Sequence, residues 1–146
     1  IIMGLVTTEA FNGKVDANPY NFQNFGVTKL MLKIGSQGRP YSSGLVMDYE
    51  NDNYIEAYNS LFRGIRESPM DISYADYKNG NVLYAFDLSP DQCSSDHFNL
   101  LQDNSIDLDI SFLLAPTQTI TLIMYMEFDN ILEITKNRVP VLDYKL

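Results

Sequence analysis

Residues 120–135 read ITLIMYMEFDNILEIT, and no other stretch of the chain is as long or as apolar. With the backbone extended, Ile120, Leu122, Met124, Met126 and Phe128 point one way, and Thr121, Ile123, Tyr125, Glu127 and Asp129 the other. That is a period of two, built from residues that suit a pleated, mostly buried surface. Asp129-Asn130 interrupts the run and Ile131, Leu132 and Ile134 resume it, which reads as a bulge or tight turn between two strands. The stretch is therefore expected to supply the central strand of a β-sheet domain.

The rest of the chain follows suit. Ile1–Thr8 reads as a strand whose apolar run is too continuous to assign faces. Phe11–Phe25 is a long loop rich in Asn, Gly and Pro, with turn signals at Asn12-Gly13 and Asn18-Pro19. Val27–Ile34 is a strand with Leu30, Leu32 and Ile34 on one face; Gly35–Pro40 turns the chain, and Leu45, Met47 and Tyr49 allow a short strand. From Asp52 to Glu67 the period changes. Ile55, Tyr58, Leu61, Phe62 and Ile65 make the stripe of an amphipathic helix, capped by Asn51 or Asp52 and ended by Pro69. Ser73 followed by Asp76 signals a short helical turn at Tyr74–Tyr77, and Asn79-Gly80 closes a further turn. Asn81–Leu88 is a strand with Val82, Tyr84, Phe86 and Leu88 on one face. Ser89–Asn99 is a polar loop. Ser105–Leu113 alternates most cleanly, with Ile106, Leu108, Ile110 and Phe112 inward. Pro116 separates it from the 120–135 run, and Val139–Leu146 is a tail.

Six firm strands, one or two weaker ones and a helix between strands fit an antiparallel sandwich of jelly-roll or immunoglobulin type. The long loops and embedded helix favour the jelly roll. The expected fold class is all-β: one domain over residues 1–146, an antiparallel jelly-roll sandwich with one inserted helix at about 52–67.

A chain of 146 residues can bury a core without staples, and its single Cys93 cannot form an internal disulfide. Nineteen carboxylates against ten Lys and Arg argue against nonspecific binding to nucleic-acid phosphates. No run has the eighteen or so apolar residues of a membrane span. Ile1–Val6 lacks the basic region and cleavage pattern of a signal peptide. Opening inside an apolar strand without an initiator Met, the chain is expected to be the C-terminal piece of something longer.

Signals for chemistry are sparse. Cys93 and His97 lie four apart in a polar loop, without an oxyanion signature, and one Cys with one His is too few ligands for zinc. Asp103, Asp107 and Asp109 lack the Gly and terminal Glu of a calcium loop; Glu127, Asp129 and Glu133 read as surface charge; Gly35-Ser36-Gln37-Gly38 lacks the Gly-Lys-Ser/Thr of a phosphate loop. No catalytic residue, metal or cofactor is assigned. The aromatics of the long loop (Phe11, Tyr20, Phe22 and Phe25) are the marked excess. They either plug one end of the sandwich or form a contact between subunits, where aromatics are enriched.

Four stretches together carry a resemblance: Ala10-Phe11-Asn12-Gly13 with Asn18-Pro19-Tyr20-Asn21-Phe22; Asp76-Tyr77-Lys78-Asn79-Gly80; Ala85-Phe86-Asp87-Leu88-Ser89-Pro90-Asp91 with His97-Phe98-Asn99-Leu100; and Tyr125-Met126-Glu127-Phe128-Asp129-Asn130 followed by Glu133-Ile134. The chain resembles, from about Phe11 to Tyr144, the C-terminal part of capsid-type proteins of Polinton/Maverick elements and adintovirus-like viruses. Those proteins are similar to double-jelly-roll major capsid proteins of the adenovirus-hexon type. The resemblance implies a second jelly roll, in a subunit that trimerises into pseudo-hexagonal capsomers tiling an icosahedral shell. Its partners would be copies of itself and its own N-terminal jelly roll, in a virion assembled inside the host cell, with no enzymatic activity, no direct nucleic-acid contact and no membrane span. The alternative is a ligand- or carbohydrate-binding β-sandwich that uses the Phe11–Phe25 loop. A hydrolase using Cys93 or carboxylates is the weakest reading.

Overall fold

The apolar run at the start of the chain, and not the one at 120–135, occupies the middle of a sheet. The structure, a computed structural model, describes residues 1–39, 42–64, 71–88, 105–127 and 132–142. Strand β1 (Ile2–Thr7) lies between β5 (Leu83–Ala85) and β7 (Ile120–Tyr125), antiparallel to both. The expected central strand is thus, among the described residues, an outer one. The physical reason lies in the patterns themselves. Unbroken burial from Met3 to Val6 is the mark of a strand covered on both faces, whereas strict alternation marks one with a more open side. Asp129-Asn130 lies outside the described residues.

The second sheet is built on β2 (Val27–Ile34), which has the boundaries expected of it. β6 (Ile106–Phe112) runs along one side of β2; β3 (Gln37–Arg39) and β4 (Leu45–Val46) share the other side, all antiparallel. The turn expected at Gly35–Pro40 is therefore in part a tight hairpin. The two sheets face each other across one core. Tyr84, Met3 and Met124 stand in register on the first inner face, and Leu45, Leu30 and Ile110 on the second, with Leu32 beside Leu108.

Helix α2 (Ile55–Gly64) closes one flank, packing on β5 of one sheet and β4 of the other. Its buried side matches the expected stripe only in part: Leu61 is buried and Tyr58 half-buried, but Ile55 and Phe62 are not. Tyr54, Ala57, Ser60 and Leu61 face the sheets, while Ile55 and Phe62 are exposed. Small residues win here because they let the helix approach the strand. Ser60 Oγ donates to the Ala57 carbonyl at 2.6 Å and accepts from the Ala85 amide at 3.2 Å, a direct tie between α2 and β5. The expected residues 65–67 and the Pro69 stop lie outside the described residues.

Nor is α2 the sole helix. Single turns α1 (Thr8–Phe11) and α3 (Tyr74–Tyr77) start at Thr7 and Ser73, whose side chains accept from Ala10 N and Asp76 N. The second of these is the turn that Ser73 and Asp76 announce. The chain thus is mostly β, with antiparallel sheets and few helices. Last, β8 (Leu132–Ile134) and β9 (Pro140–Leu142) form a hairpin where only a tail was expected beyond Val139.

Gly4 shows how tightly the first sheet is covered. A Cβ there would stand 2.5 Å from Phe22 Cδ1 and 2.8 Å from Leu83 Cδ2, so the Phe22 ring lies directly on the strand. Replacing Gly4 with Ala should lower unfolding free energy by about 1–3 kcal/mol, the usual cost of overpacking. Urea denaturation of Gly4→Ala, with Phe22→Ala/Gly4→Ala as the relief variant, measures it.

Candidate association surface

The flank opposite α2 is built differently. Since α2 spans β5 and β4, the other edges of the two sheets, β7 and β6, lie together on the far side. Among the described residues no strand pairs with their outer edges. Their inward side chains (Leu108, Ile110 and Phe112 on β6; Ile120, Leu122 and Met124 on β7) belong to the core but remain half-buried, whereas their neighbours on β1 and β2 are fully covered. Ile106 and Tyr125, at strand ends, are exposed. Among the described residues the sandwich is closed on one flank and open on the other. Unpaired strand edges beside half-covered apolar residues are a template for adding another chain.

At one end this flank meets a groove of about 270 Å³, lined by Phe25, Gly26, Glu50 and the segment from Leu113 to Gln118 that joins β6 to β7. Its floor is held by a bond from Leu113 N to the Gly26 carbonyl at 2.8 Å. Phe25 and Gly26 both have positive φ, 45° and 73°, a turn fixed by Asn24 Oδ1 accepting from Gly26 N at 2.9 Å. A left-handed Phe costs about 1–2 kcal/mol, so this rim is shaped against local preference. Leu113 and Leu114 are 55% and 78% exposed. The groove is smaller than the roughly 300–1,000 Å³ of small-molecule sites, and better matched to a few side chains.

The four loop aromatics divide. Phe11 and Tyr20 are exposed. Phe22 packs over Gly4, held by its amide donating to Gly80 O at 2.9 Å and its carbonyl accepting from Val82 N at 3.0 Å. Phe25 packs on the core and lines the groove. The plug reading describes Phe22 and Phe25, whereas Phe11 and Tyr20 lie on the surface.

Among the described residues no three His, Cys, Asp or Glu side chains come close enough to hold a metal. Cys93, His97, Asp103 and Asp129 lie outside the described residues. Asp109 is ion-paired with Lys33, and Asp107 stands opposite Lys33 on the neighbouring strand. Glu133 is exposed on β8.

A cluster of tyrosines, missed in the sequence, holds the closed flank. Tyr54 stacks between Tyr49 and Tyr74, with ring centroids 5.1 and 4.4 Å away, and Tyr58 sets its edge against Tyr74 and Tyr77. Their hydroxyls reach backbone: Tyr54 to Tyr74 O, Tyr58 to Ile72 O, Tyr74 to Asp52 O and Tyr77 to Leu83 O. Tyr49 and Tyr84 share a bond of 3.1 Å. The available signal was spacing: Tyr54 and Tyr58 four apart, Tyr74 and Tyr77 three apart, one face of each helix.

These phenols are structural. Burial pushes the Tyr49 hydroxyl up to about 12, with the Tyr84 hydroxyl pulling the other way. Burial raises Tyr77 and Tyr84 further, and the neighbouring Tyr49 adds to both. An acid whose folded pKa exceeds its unfolded one stabilises the fold fully below the unfolded value and loses that contribution above it. Stability should therefore be insensitive to these groups at pH 7–9 and fall from the ordinary phenol value of 10.0 toward about 12. In alkaline titration followed by circular dichroism and phenolate absorbance together, the last phase of absorbance, that of the buried phenols, should coincide with the loss of structure. Ionisation of all phenols before any loss of structure would contradict the assignment.

No protein-family profile matches the chain, and no solved structure matches it. A protein of Caenorhabditis elegans, described as uncharacterized, is 29% identical over 154 residues. The alignment covers 98% of this chain and 36% of that protein, so the chain spans about a third of the length of its relative.

Proposed function

We propose that this chain is a structural module of a capsid-type shell, the second jelly roll of a double-jelly-roll subunit of Polinton/Maverick or adintovirus-like type. It works by fitting against another jelly roll and against copies of itself, in trimeric capsomers, within a virion. The observation that carries the reading is the asymmetry of the sandwich among the described residues: one flank is sealed by α2 and the tyrosines, and the other is left with two open edges and half-covered apolar rows. A module that acts alone gains nothing from such a flank, whereas a tile uses it as a seam.

Further observations support it. The stretches 18–22 and 76–80, which carry part of the resemblance, lock together. Phe22 bridges to Asn81 in parallel, Phe22 N donates to Gly80 O, and a Cβ on Gly80 would stand 2.6 Å from Asn21 Oδ1. The short motifs thus answer to one packing requirement. A relative about three times as long as this chain also leaves room for a companion domain. The net charge of −9 suits an outer face better than a wall against packaged DNA. Among the described residues no helix is long and apolar enough to cross a membrane.

The carbohydrate-binding alternative rests on exposed Phe11 and Tyr20. Native mass spectrometry and negative-stain microscopy of the longer polypeptide separate the two. Trimers or larger assemblies are expected, with Ile106→Lys/Tyr125→Lys weakening assembly at least about tenfold while leaving thermal unfolding within a few degrees. A monomer that binds glycans and loses binding on Phe11→Ala/Tyr20→Ala would overturn the shell reading.

A further inference from the structure

Among the described residues the β8–β9 hairpin forms a sheet of its own. Its register places Leu132 opposite Leu142 and Ile134 opposite Pro140, so one face is wholly apolar. Leu132 and Ile134 are 56% and 67% exposed, and Val139 and Val141 are exposed too. Among the described residues the hairpin's one substantial packing partner is itself, β8 against β9. A two-stranded ribbon is marginal in water by itself, and one with a bare apolar face calls for a cover.

Its turn is nonetheless built with care. Arg138 N donates to Thr135 O at 2.8 Å, Thr135 N to Val139 O at 3.1 Å, and Thr135 Oγ accepts from Val139 N at 3.2 Å, with Arg138 at φ 59°. The tip carries Lys136 and Arg138, both exposed and without an ion pair among the described residues. Elsewhere the described ion pairs tie up Lys14, Lys33 and Lys78 against Glu9, Asp109 and Asp52. The hairpin is a cationic, apolar projection on a chain of net charge −9.

We propose that this hairpin is an arm that docks into the groove of a second copy of the chain. The groove offers what the arm lacks: exposed Leu113 and Leu114 beside Phe25 for the apolar face, and the exposed carboxylate of Glu50 on the rim for the cationic tip. Glu50 has no ion pair among the described residues. An acidic body attracts a basic arm, and a preformed turn lowers the entropy lost on docking. The proposal rests on the self-association reading and names one of its contacts.

Charge exchange tests it in the longer polypeptide, by sedimentation equilibrium. Glu50→Lys alone and Lys136→Glu/Arg138→Glu alone are each expected to weaken association about tenfold, with a smaller effect at high salt. Combining all three changes should restore it to within about threefold of the unmodified protein. Ile134→Asp should weaken association without lowering the melting temperature, since the hairpin lies outside the core. Unchanged association in the hairpin variants, or a combined variant no better than the single exchanges, overturns the arm. If Ile106→Lys/Tyr125→Lys still disrupts assembly in that case, the shell reading stands without it. An unmodified protein that stays monomeric overturns both.

Discussion

Burial of β1 on both faces is the constraint from which the rest follows. Met3 and Leu5 point into the core between the sheets, while Gly4 and Val6 face the other way and must be covered by something outside the sheet. That cover includes Phe22, and it explains the long segment before β2. The segment crosses the strand, lays its ring on the glycine and donates from Gln23 N to Leu5 O at 3.0 Å. With Phe22 fixed, Gly80 and Asn81 are fixed beside it, and so is the start of β5. One close approach of backbone and ring thereby aligns three distant parts of the chain.

The same arrangement explains what the sequence could and could not disclose. β2 and β6 were legible to within a residue: β6 alternates between a core face and a solvated one, and β2 sets a buried Leu30–Leu32 run between Lys29 and Lys33, with a turn at Gly35 beyond. The charges on the outer face of that pair, Lys33 and Asp109, even meet as an ion pair. The rank of the strands was not legible, because hydrophobic length measures how apolar a segment is and not where it stands in a sheet. Helix α2 was placed correctly but its face was read from its largest apolar residues. The helix instead turns Ala57 and Ser60 to β5, since nearness to a strand favours small side chains and a buried hydroxyl with two partners. The tyrosine cluster escaped for another reason. Its members are scattered from Tyr49 to Tyr84, and only the fold stacks them. Of the candidate surface, the loop aromatics were legible as a group, but the split between Phe22 inward and Tyr20 outward depends on the single gap at Gly4.

Two flanks of one sandwich are thus made from different materials. The closed flank uses stacked rings, hydroxyls bonded to backbone and a helix, all interactions that are satisfied within the chain. The open flank uses strand edges and aliphatic side chains, whose satisfaction is incomplete among the described residues. Leaving hydrogen-bonding edges unpaired is a liability that stable single domains blunt with charge, proline or bulges. β6 carries Asp107 and Asp109 on its solvated face, which protects that face but leaves its inward row open. β7 lacks even this, because Thr121, Ile123 and Tyr125 are uncharged. The proposed seam between subunits would use this pattern.

The arm and its groove add a geometric consequence. They are different patches, so a contact between them joins unlike surfaces of two copies and leaves a free arm at one end and a free groove at the other. Such head-to-tail contacts either close into rings or continue as open chains, according to the rotation between neighbours. A ring of three would leave no arm and no groove unoccupied, and each subunit would give one and receive one. Closure also removes the hazard that an exposed apolar hairpin presents to a soluble protein, since every copy is then covered by the next. The flank of β6 and β7, open among the described residues, takes no part in that contact, so the proposed seam there would be a separate one.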